Sequence, residues 1–186
     1  MFFKNKNKNI LELSNQIYKL IIKQSRIKPF YTNLNIPDTI DGRFELVVLH
    51  FFFIDNALNK EVEHYDKIYK EILEIMYKDF DMSLREMGVG DLSVGKKIYH
   101  MTEAFSGRIV AYRAASKKNK TEVIKSLKKN VYGTTKNINK IQLNILAEYF
   151  LESLNLINDA NIDSVPKNNA IFLDLNRYIN KLQKGN

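Results

Sequence analysis

Hydrophobic residues recur along nearly the whole chain at the three- and four-residue spacing of amphipathic helices, and no stretch alternates cleanly with a period of two. The spacing predicts six helices, with approximate bounds 10–25, 41–59, 63–87, 91–116, 120–129 and 138–158. An irregular connector is expected between Pro29 and Pro37. The sequence therefore predicts an all-α fold, a single-domain helical bundle of about six helices with a weakly structured C-terminal tail.

The second predicted helix is apolar around almost its whole circumference between Leu46 and Ile54. A helix of this kind belongs at the centre of a bundle. The run is far shorter than the ~20 residues that span a bilayer, which favours a buried core helix. His50 lies within the run, and we expect it to be a hydrogen-bonded core histidine.

The fourth predicted helix carries two stripes of residues. Small residues let a neighbouring helix backbone approach closely, so we expect this helix to be packed on two sides. Its N-cap is expected at Asp91 or Ser93, after glycines that end the third helix at Gly88 and Gly90. The bulky stripe consists of Ile98, Met101, Phe105, Ile109 and Tyr112, and the small one of Ala104, Gly107, Ala111 and Ala114.

Charge divides the chain into blocks. The 186 residues carry a formal net charge of +8 and no cysteine, which excludes a disulfide scaffold, a thiol nucleophile and a cysteine-ligated metal. Residues 38–91 hold 6 basic and 13 acidic side chains, whereas residues 92–140 hold 12 basic and 2 acidic ones. A basic face of this kind suits rRNA, anionic lipid headgroups or an acidic protein, and a solvated lysine-rich surface is the alternative.

No catalytic or metal-binding constellation emerges from the pattern. The string from Gly90 to Lys97 has the glycine and lysine spacing of a phosphate-binding loop. It lacks the following Ser or Thr, and a helix rather than a strand precedes it. The three histidines form no metal-binding pair. The Lys117–Lys140 segment contains Tyr132 as its sole aromatic residue, which argues against sequence-specific nucleic-acid binding. We therefore expect no enzyme activity, no cofactor and no metal.

Two blocks, DGRFELVVLHFFF (Asp41–Phe53) and MSLREMGVGDLSVGKKIYHMTEAFSGRIVAY (Met82–Tyr112), resemble the signature of the ubiquinol–cytochrome c chaperone family. We call them the motif blocks. The resemblance extends over about residues 28–116 and implies an all-helical assembly factor for respiratory complex III. It divides the chain into a basic N-terminal helix (1–27), a chaperone-like helical domain (28–158) and a tail (159–186) that is flexible or part of the same domain.

The resemblance also implies partners and a location. The expected client is cytochrome b or its nascent chain, and a small partner protein, the ribosome and a peripheral membrane contact are further expectations. The beginning of the chain, MFFKNKNKN, has neither a secretory signal nor a transit peptide, which favours a bacterial member. Such a member would work in the bacterial cytoplasm beside the inner membrane, and an organellar one in the mitochondrial matrix. A basic ribosome- or membrane-associated adaptor without a dedicated client is the alternative function.

Residue roles follow from the motif blocks. Some charged motif residues have an internal role as the alternative to contact with a partner. In that interpretation Arg43 and Arg85 pair with Asp41, Glu86 or Asp91 and lock the turn after the third helix. The residues expected to contact a partner are Phe44, Lys96, Lys97, Phe105 and Arg108. The residues expected to hold the motif structure are Asp41, Gly42, Arg43, Arg85, Glu86, Gly88, Gly90, Asp91, Gly95 and Gly107.

Overall fold

The computed structural model describes residues 2–58, 65–135, 138–158 and 171–183. These residues form helices and no strand, which confirms the all-α prediction. None of their helices is long and apolar enough to cross a membrane. The helices are α1 (Phe2–Ser25), α2 (Lys28–Thr32), α3 (Ile40–Leu58), α4 (Tyr65–Glu86), α5 (Asp91–Ser116), α6 (Lys120–Asn130), α7 (Lys140–Asn158) and α8 (Asn176–Gln183).

The predicted helices from α3 to α7 agree with the structure to within two residues at each described end; residues 59 and 63–64 lie outside the described residues. Two predictions at the start of the chain were wrong. First, α1 begins at Phe2, because the Lys- and Asn-rich residues before Ile10 include no helix breaker even though they lack apolar spacing. Second, the connector contains the short helix α2, in which Pro29 occupies the first turn and needs no hydrogen-bond donor.

Helix α3 is the central element of the bundle, as its apolar circumference predicts. It contacts α1, α4, α5 and α7. Phe51, Phe52 and Phe53 are fully buried, although they point in successive directions around the helix. The ring of Phe52 stacks on Phe150 of α7 at a centroid distance of 5.6 Å, and Phe51 meets Phe105 of α5 edge-on at 4.9 Å. These rings pack α5 and α7 against α3, and Tyr112 of α5 also contacts the Phe150 ring at 5.7 Å.

His50 is the core histidine that the sequence predicts. Its Nδ1 lies 2.7 Å from the Leu46 carbonyl oxygen, which can only accept, so Nδ1 carries the proton. Nε2 therefore accepts from the Tyr149 hydroxyl at 2.8 Å, and that hydroxyl accepts from Gln24 Nε2 at 3.0 Å. Burial lowers the pKa of His50 to about 4, so the ring is neutral at pH 7.

The described part of the tail packs against the bundle. Ile171, Leu175, Tyr178 and Ile179 are buried and belong to the same hydrophobic core as α3. The Tyr178 hydroxyl donates to a carboxylate oxygen of α7 at 2.6 Å. The rest of the predicted tail, 159–170 and 184–186, lies outside the described residues.

The turn between α4 and α5 is formed by two glycines. Gly88 has φ of +81° and ends α4 in the left-handed conformation that favours glycine, as predicted. Val89 N–H donates to the Leu84 carbonyl at 3.0 Å, which closes the turn. Gly90 is the N-cap of α5 and makes no side-chain cap. The prediction of an Asp91 or Ser93 cap was therefore wrong, because both residues lie inside the first turn of the helix.

Candidate functional site

Four adjoining cavities form a groove at the end of the bundle where α3 begins and α4 ends. We call it the motif groove, and it has four parts. The apolar slot lies between α1, α3 and α4, and the outer vestibule, of about 730 Å³, opens from it beside α2. The motif cavity, of about 480 Å³, lies between the start of α3, α5 and the end of α6. The basic cleft, of about 360 Å³, lies between α5 and α6.

Shared walls make these cavities continuous. Arg26, Tyr31 and Arg43 line both the vestibule and the apolar slot. Phe44 stands between the apolar slot and the motif cavity. Arg108 is among the residues common to the motif cavity and the basic cleft. The groove thus runs from α2 to α6 and passes both motif blocks.

The two phenylalanines expected to anchor a partner have different surroundings. Phe44 is 6% exposed, packs edge-on against Phe80 at 5.7 Å and lines two cavities of the groove. Phe105 is 3% exposed and packs against Phe51 and Tyr77 in the core. Phe44 therefore borders the groove, whereas Phe105 offers almost no surface to a partner in this conformation.

Arg108 forms an interior ion pair with Glu45 of α3. Its Nη2 lies 2.7 Å and its Nε 3.0 Å from Glu45 Oε1. The Glu45 side chain is 7% exposed and that of Arg108 is 29% exposed. Burial raises the pKa of Glu45, and the guanidinium opposes that shift. The structure therefore gives Arg108 an internal role as well as a place on the wall of the groove.

A second interior pair joins the same two helices. Arg113 of α5 pairs with Asp55 of α3, whose side chain is 1% exposed. The Tyr65 hydroxyl also donates to Asp55, at 2.9 Å. Carboxylates buried on the central helix need such partners, since an unpaired buried charge is strongly destabilising. The two pairs thus fix α5 on α3 along one side of the motif groove.

The remaining motif arginines form exposed ion pairs. Arg85 pairs with Asp91 across the turn, as the internal alternative predicts, and with Asp81 at 2.6 Å. The hydrogen bond from Arg85 holds the pKa of Asp81 below its usual value. Arg43 pairs with Asp38 at 2.6 Å, so the prediction of Asp41, Glu86 or Asp91 as its partner was wrong. Asp38 precedes α3 and reaches the first turn of that helix, where Arg43 lies.

Gly42 has a steric reason to be glycine. A Cβ atom built on it would lie 1.9 Å from the Pro37 carbonyl oxygen, too close for any side chain. Its N–H donates to Thr39 Oγ1 at 3.2 Å, which caps the start of α3 next to Asp41. By contrast, a Cβ atom at Gly95 or Gly107 would meet no atom within 4 Å.

The small-residue stripe of α5 is only partly covered in the described part of the chain, where Ala104 and Ala111 are half-buried. Gly107 and Ala114 are exposed, and the stripe forms the floor of the basic cleft. Helix α5 contacts α3 and α4 as well as α6, as expected of a helix that is packed on two sides. The bulky stripe supplies the buried contacts through Phe105, Ile109 and Tyr112, and Ala104 of the small stripe packs against the same core.

Lysines occupy the open positions of the groove. Lys97 lines the motif cavity, while Lys96 lies beside it on the exposed face of α5. Glu86 lines the outer vestibule. Sequence reasoning missed Lys118 and Lys129, which line the basic cleft. The signal was the four-residue spacing of Lys125 and Lys129, which places both on one face of α6.

The described residues contain no cluster of three or more His, Asp or Glu side chains that could hold a metal ion. The groove offers apolar contact and positive charge. It is suited to binding another molecule.

Comparison with known proteins supports the resemblance seen in the sequence. The family model described as ubiquinol–cytochrome C chaperone matches residues 32–172, a range that includes both motif blocks. A crystal structure of the Cbp3 homolog from Brucella abortus has a similar fold, with a TM-score of 0.80 and 26% sequence identity. The alignment covers 95% of this chain and 97% of that one. No curated protein sequence matches the chain.

Proposed function

The chain belongs to the ubiquinol–cytochrome c chaperone family, and from this membership we propose that it binds newly made cytochrome b during assembly of the ubiquinol–cytochrome c reductase complex. Membership of a chaperone family implies a non-enzymatic role. The observation that carries the proposal is the family match over residues 32–172, supported by the motif groove that the matched blocks line. The proposed place of action is the bacterial cytoplasm at the periphery of the inner membrane.

The proposed mechanism uses two properties of the groove. Newly made cytochrome b exposes apolar helices joined by charged loops until its cofactors and partner subunits are in place. The apolar slot beside Phe44 would receive an apolar side chain of the client, and Lys97 at the motif cavity would meet an acidic loop. Apolar burial supplies most of the binding free energy in such a complex, and the charges orient it.

The second candidate is a basic adaptor of the ribosome or membrane without a dedicated client. Exposed lysines of α5, α6 and the link between them that form no ion pair within the described residues favour it; they are Lys96, Lys97, Lys117, Lys118, Lys128 and Lys129. Contacts of these lysines with phosphate would weaken steeply as the salt concentration rises. Client binding through apolar burial would weaken far less.

The two candidate functions differ in how salt should affect binding, and the experiment uses that difference. The tagged full-length protein is recovered from its native cells in mild detergent at low and at high salt, and the co-purified proteins are identified by mass spectrometry. Recovery of cytochrome b at both salt concentrations supports the assembly chaperone. Recovery of ribosomal proteins alone, lost at high salt, would refute the client assignment in favour of the adaptor.

A further inference from the structure

The motif cavity and the basic cleft together form a continuous trough along α5 and the end of α6. They share Arg108, Lys129 and Asn130. The floor of the trough is formed by side chains that carry no charge, such as Ala104 and Val131 in the cavity and Ala111 in the cleft. Its lining carries more cations than acidic side chains. The combination resembles an interface with an apolar floor and a charged edge.

Three of the five lysine and arginine side chains that line the trough form no ion pair among the described residues. Arg108 is held by Glu45, and Lys125 by Glu122 at 2.7 Å. Lys97, Lys118 and Lys129 have no ion pair among the described residues, and all three are exposed. Asp41 is the remaining acidic group in the described lining. Positive charge therefore exceeds negative charge along the trough, and a ligand that fits it has to supply carboxylates or other anionic groups.

The shape of the trough narrows the class of ligand. A membrane surface binds protruding or flat basic faces and cannot enter a cleft between two helices. Single-stranded RNA uses aromatic side chains on which bases stack, and no aromatic residue lines the basic cleft. A peptide backbone can approach the small side chains of α5, because nothing lies within 4 Å of a Cβ atom built on Gly107.

We propose that this trough binds an acidic peptide segment of a protein partner, whose carboxylates pair with Lys97, Lys118 and Lys129. The inference deepens the proposed function, because it names the chemistry of the client segment, and it rests on that function for the identity of the partner. Arg108, held by Glu45, keeps the rim of the trough in place between the two cavities.

The first test uses a synthetic probe and the full chain. Binding of a short fluorescein-labelled peptide of Glu, Ala and Leu is followed by fluorescence polarisation, with Gln replacing Glu in the control peptide. We expect the Glu peptide to bind about tenfold more tightly than the Gln peptide. The double variant K118E/K129E should lose this preference. The matched control K67E/K70E makes the same charge change on the outer face of α4 and should retain it.

A second pair of variants tests the position of the peptide. Ala111→Trp fills the floor of the cleft and should abolish peptide binding, whereas Val110→Trp on the adjacent exposed position should not. Equal melting temperatures of the two variants establish that both fold. The proposal is overturned if the Glu and Gln peptides bind equally or if neither binding saturates. It is also overturned if an RNA oligonucleotide or anionic phospholipid vesicles bind more tightly through the same lysines.

Recovery of cytochrome b separates this inference from the proposed function. If the native protein recovers cytochrome b and the Ala111→Trp variant recovers as much, the trough is not its binding site and the inference fails while the function stands. If the native protein recovers no cytochrome b but the acidic peptide binds in the trough, the proposed client fails while the inference about chemistry stands.

Discussion

Helices α3 and α5 each carry a motif block, and they differ in what surrounds those residues. Fifteen of the 19 residues of α3 are buried, compared with five of the 26 residues of α5. On α3, Gly42 lies against the Pro37 carbonyl and Glu45 pairs with Arg108, so both residues have a role within the fold. On α5, Gly95, Lys96 and Gly107 face solvent. A Cβ atom built on either glycine would meet no atom within 4 Å, so packing does not require glycine there. The buried motif residues of α3 therefore report on folding, whereas the exposed motif residues of α5 are where a binding role should be sought.

The largest effect on stability in this comparison is expected when α3 loses an aromatic ring. Phe52→Ala removes a fully buried side chain that stacks on Phe150, and we expect it to lower the free energy of unfolding by about 3–5 kcal/mol. The control Val110→Ala on α5, at a side chain 66% exposed, should change it by less than about 0.5 kcal/mol. Urea unfolding measures both. A similar loss in the two variants would remove the contrast between the helices.

Breaking the ion pair that joins the helices should have the next largest effect. Arg108→Met leaves the Glu45 carboxylate uncompensated in a buried position and should cost about 3 kcal/mol. Glu45→Gln in the same chain should recover most of that loss, because it removes the buried charge. Arg43→Met breaks an exposed pair with Asp38 and should cost at most about 1 kcal/mol. The prediction fails if the Arg43 and Arg108 variants melt at the same temperature.

Acid should destabilise the centre of the bundle through His50. Its pKa is lowered to about 4 by burial, whereas the unfolded chain binds the proton near pH 6.5. The unfolded state therefore takes up the proton first, and stability falls as the pH drops from 6.5 to 4. This group contributes a loss of about 3 kcal/mol between pH 7 and pH 4.

The contribution of His50 is measured by urea unfolding at several pH values. It is the difference in the pH dependence of the free energy of unfolding between the native protein and the His50→Gln variant. His100→Gln, the same substitution at an exposed position on α5, is the matched control. If the His50→Gln variant loses stability at low pH as steeply as the native protein does, other groups cause that loss.

Two of the glycines in the motif blocks, one on α3 and one on α5, should respond to alanine in opposite directions. Gly42→Ala forces a Cβ atom against the Pro37 carbonyl oxygen and should cost about 2 kcal/mol. Gly107→Ala adds a methyl group in open space within a helix and should stabilise the protein by about 0.5–1 kcal/mol. Thermal unfolding of both variants checks the signs. Destabilisation by Gly107→Ala would reveal a packing demand on α5 that the structure does not contain.

The smallest effect on stability is expected at the exposed lysines. The double variant K96E/K97E should change the free energy of unfolding by less than about 0.5 kcal/mol, because neither side chain is buried or paired within the described residues. Under the proposed function it should nevertheless lower the recovery of cytochrome b in the pull-down. A large drop in melting temperature would instead assign these residues to the fold.

Helical periodicity was enough to predict the architecture but not the side-chain partners. The central position of α3 follows from its apolar circumference, and the turn at Gly88 follows from glycine after a helix. The partner of Arg43 depends on how the chain before α3 approaches the helix, which spacing does not encode. For the same reason the sequence could not show that Phe44 borders the groove while Phe105 lies in the core. Spacing places Lys125 and Lys129 on one face of α6, but it could not show that this face lines a cleft, because that depends on how α6 packs beside α5.

The hydrogen bonds of Gln24 connect the first helix to residues near the other end of the described chain. Its Nε2 donates to the Tyr149 hydroxyl and, at 3.1 Å, to the Leu173 carbonyl. During synthesis, α1 and α3 therefore leave the ribosome well before the residues that complete their core. At about 5–20 residues per second the rings of α3 wait several seconds for those of α7. A protein proposed to bind the unfinished apolar helices of another thus exposes, while it is being made, an apolar helix of the same kind.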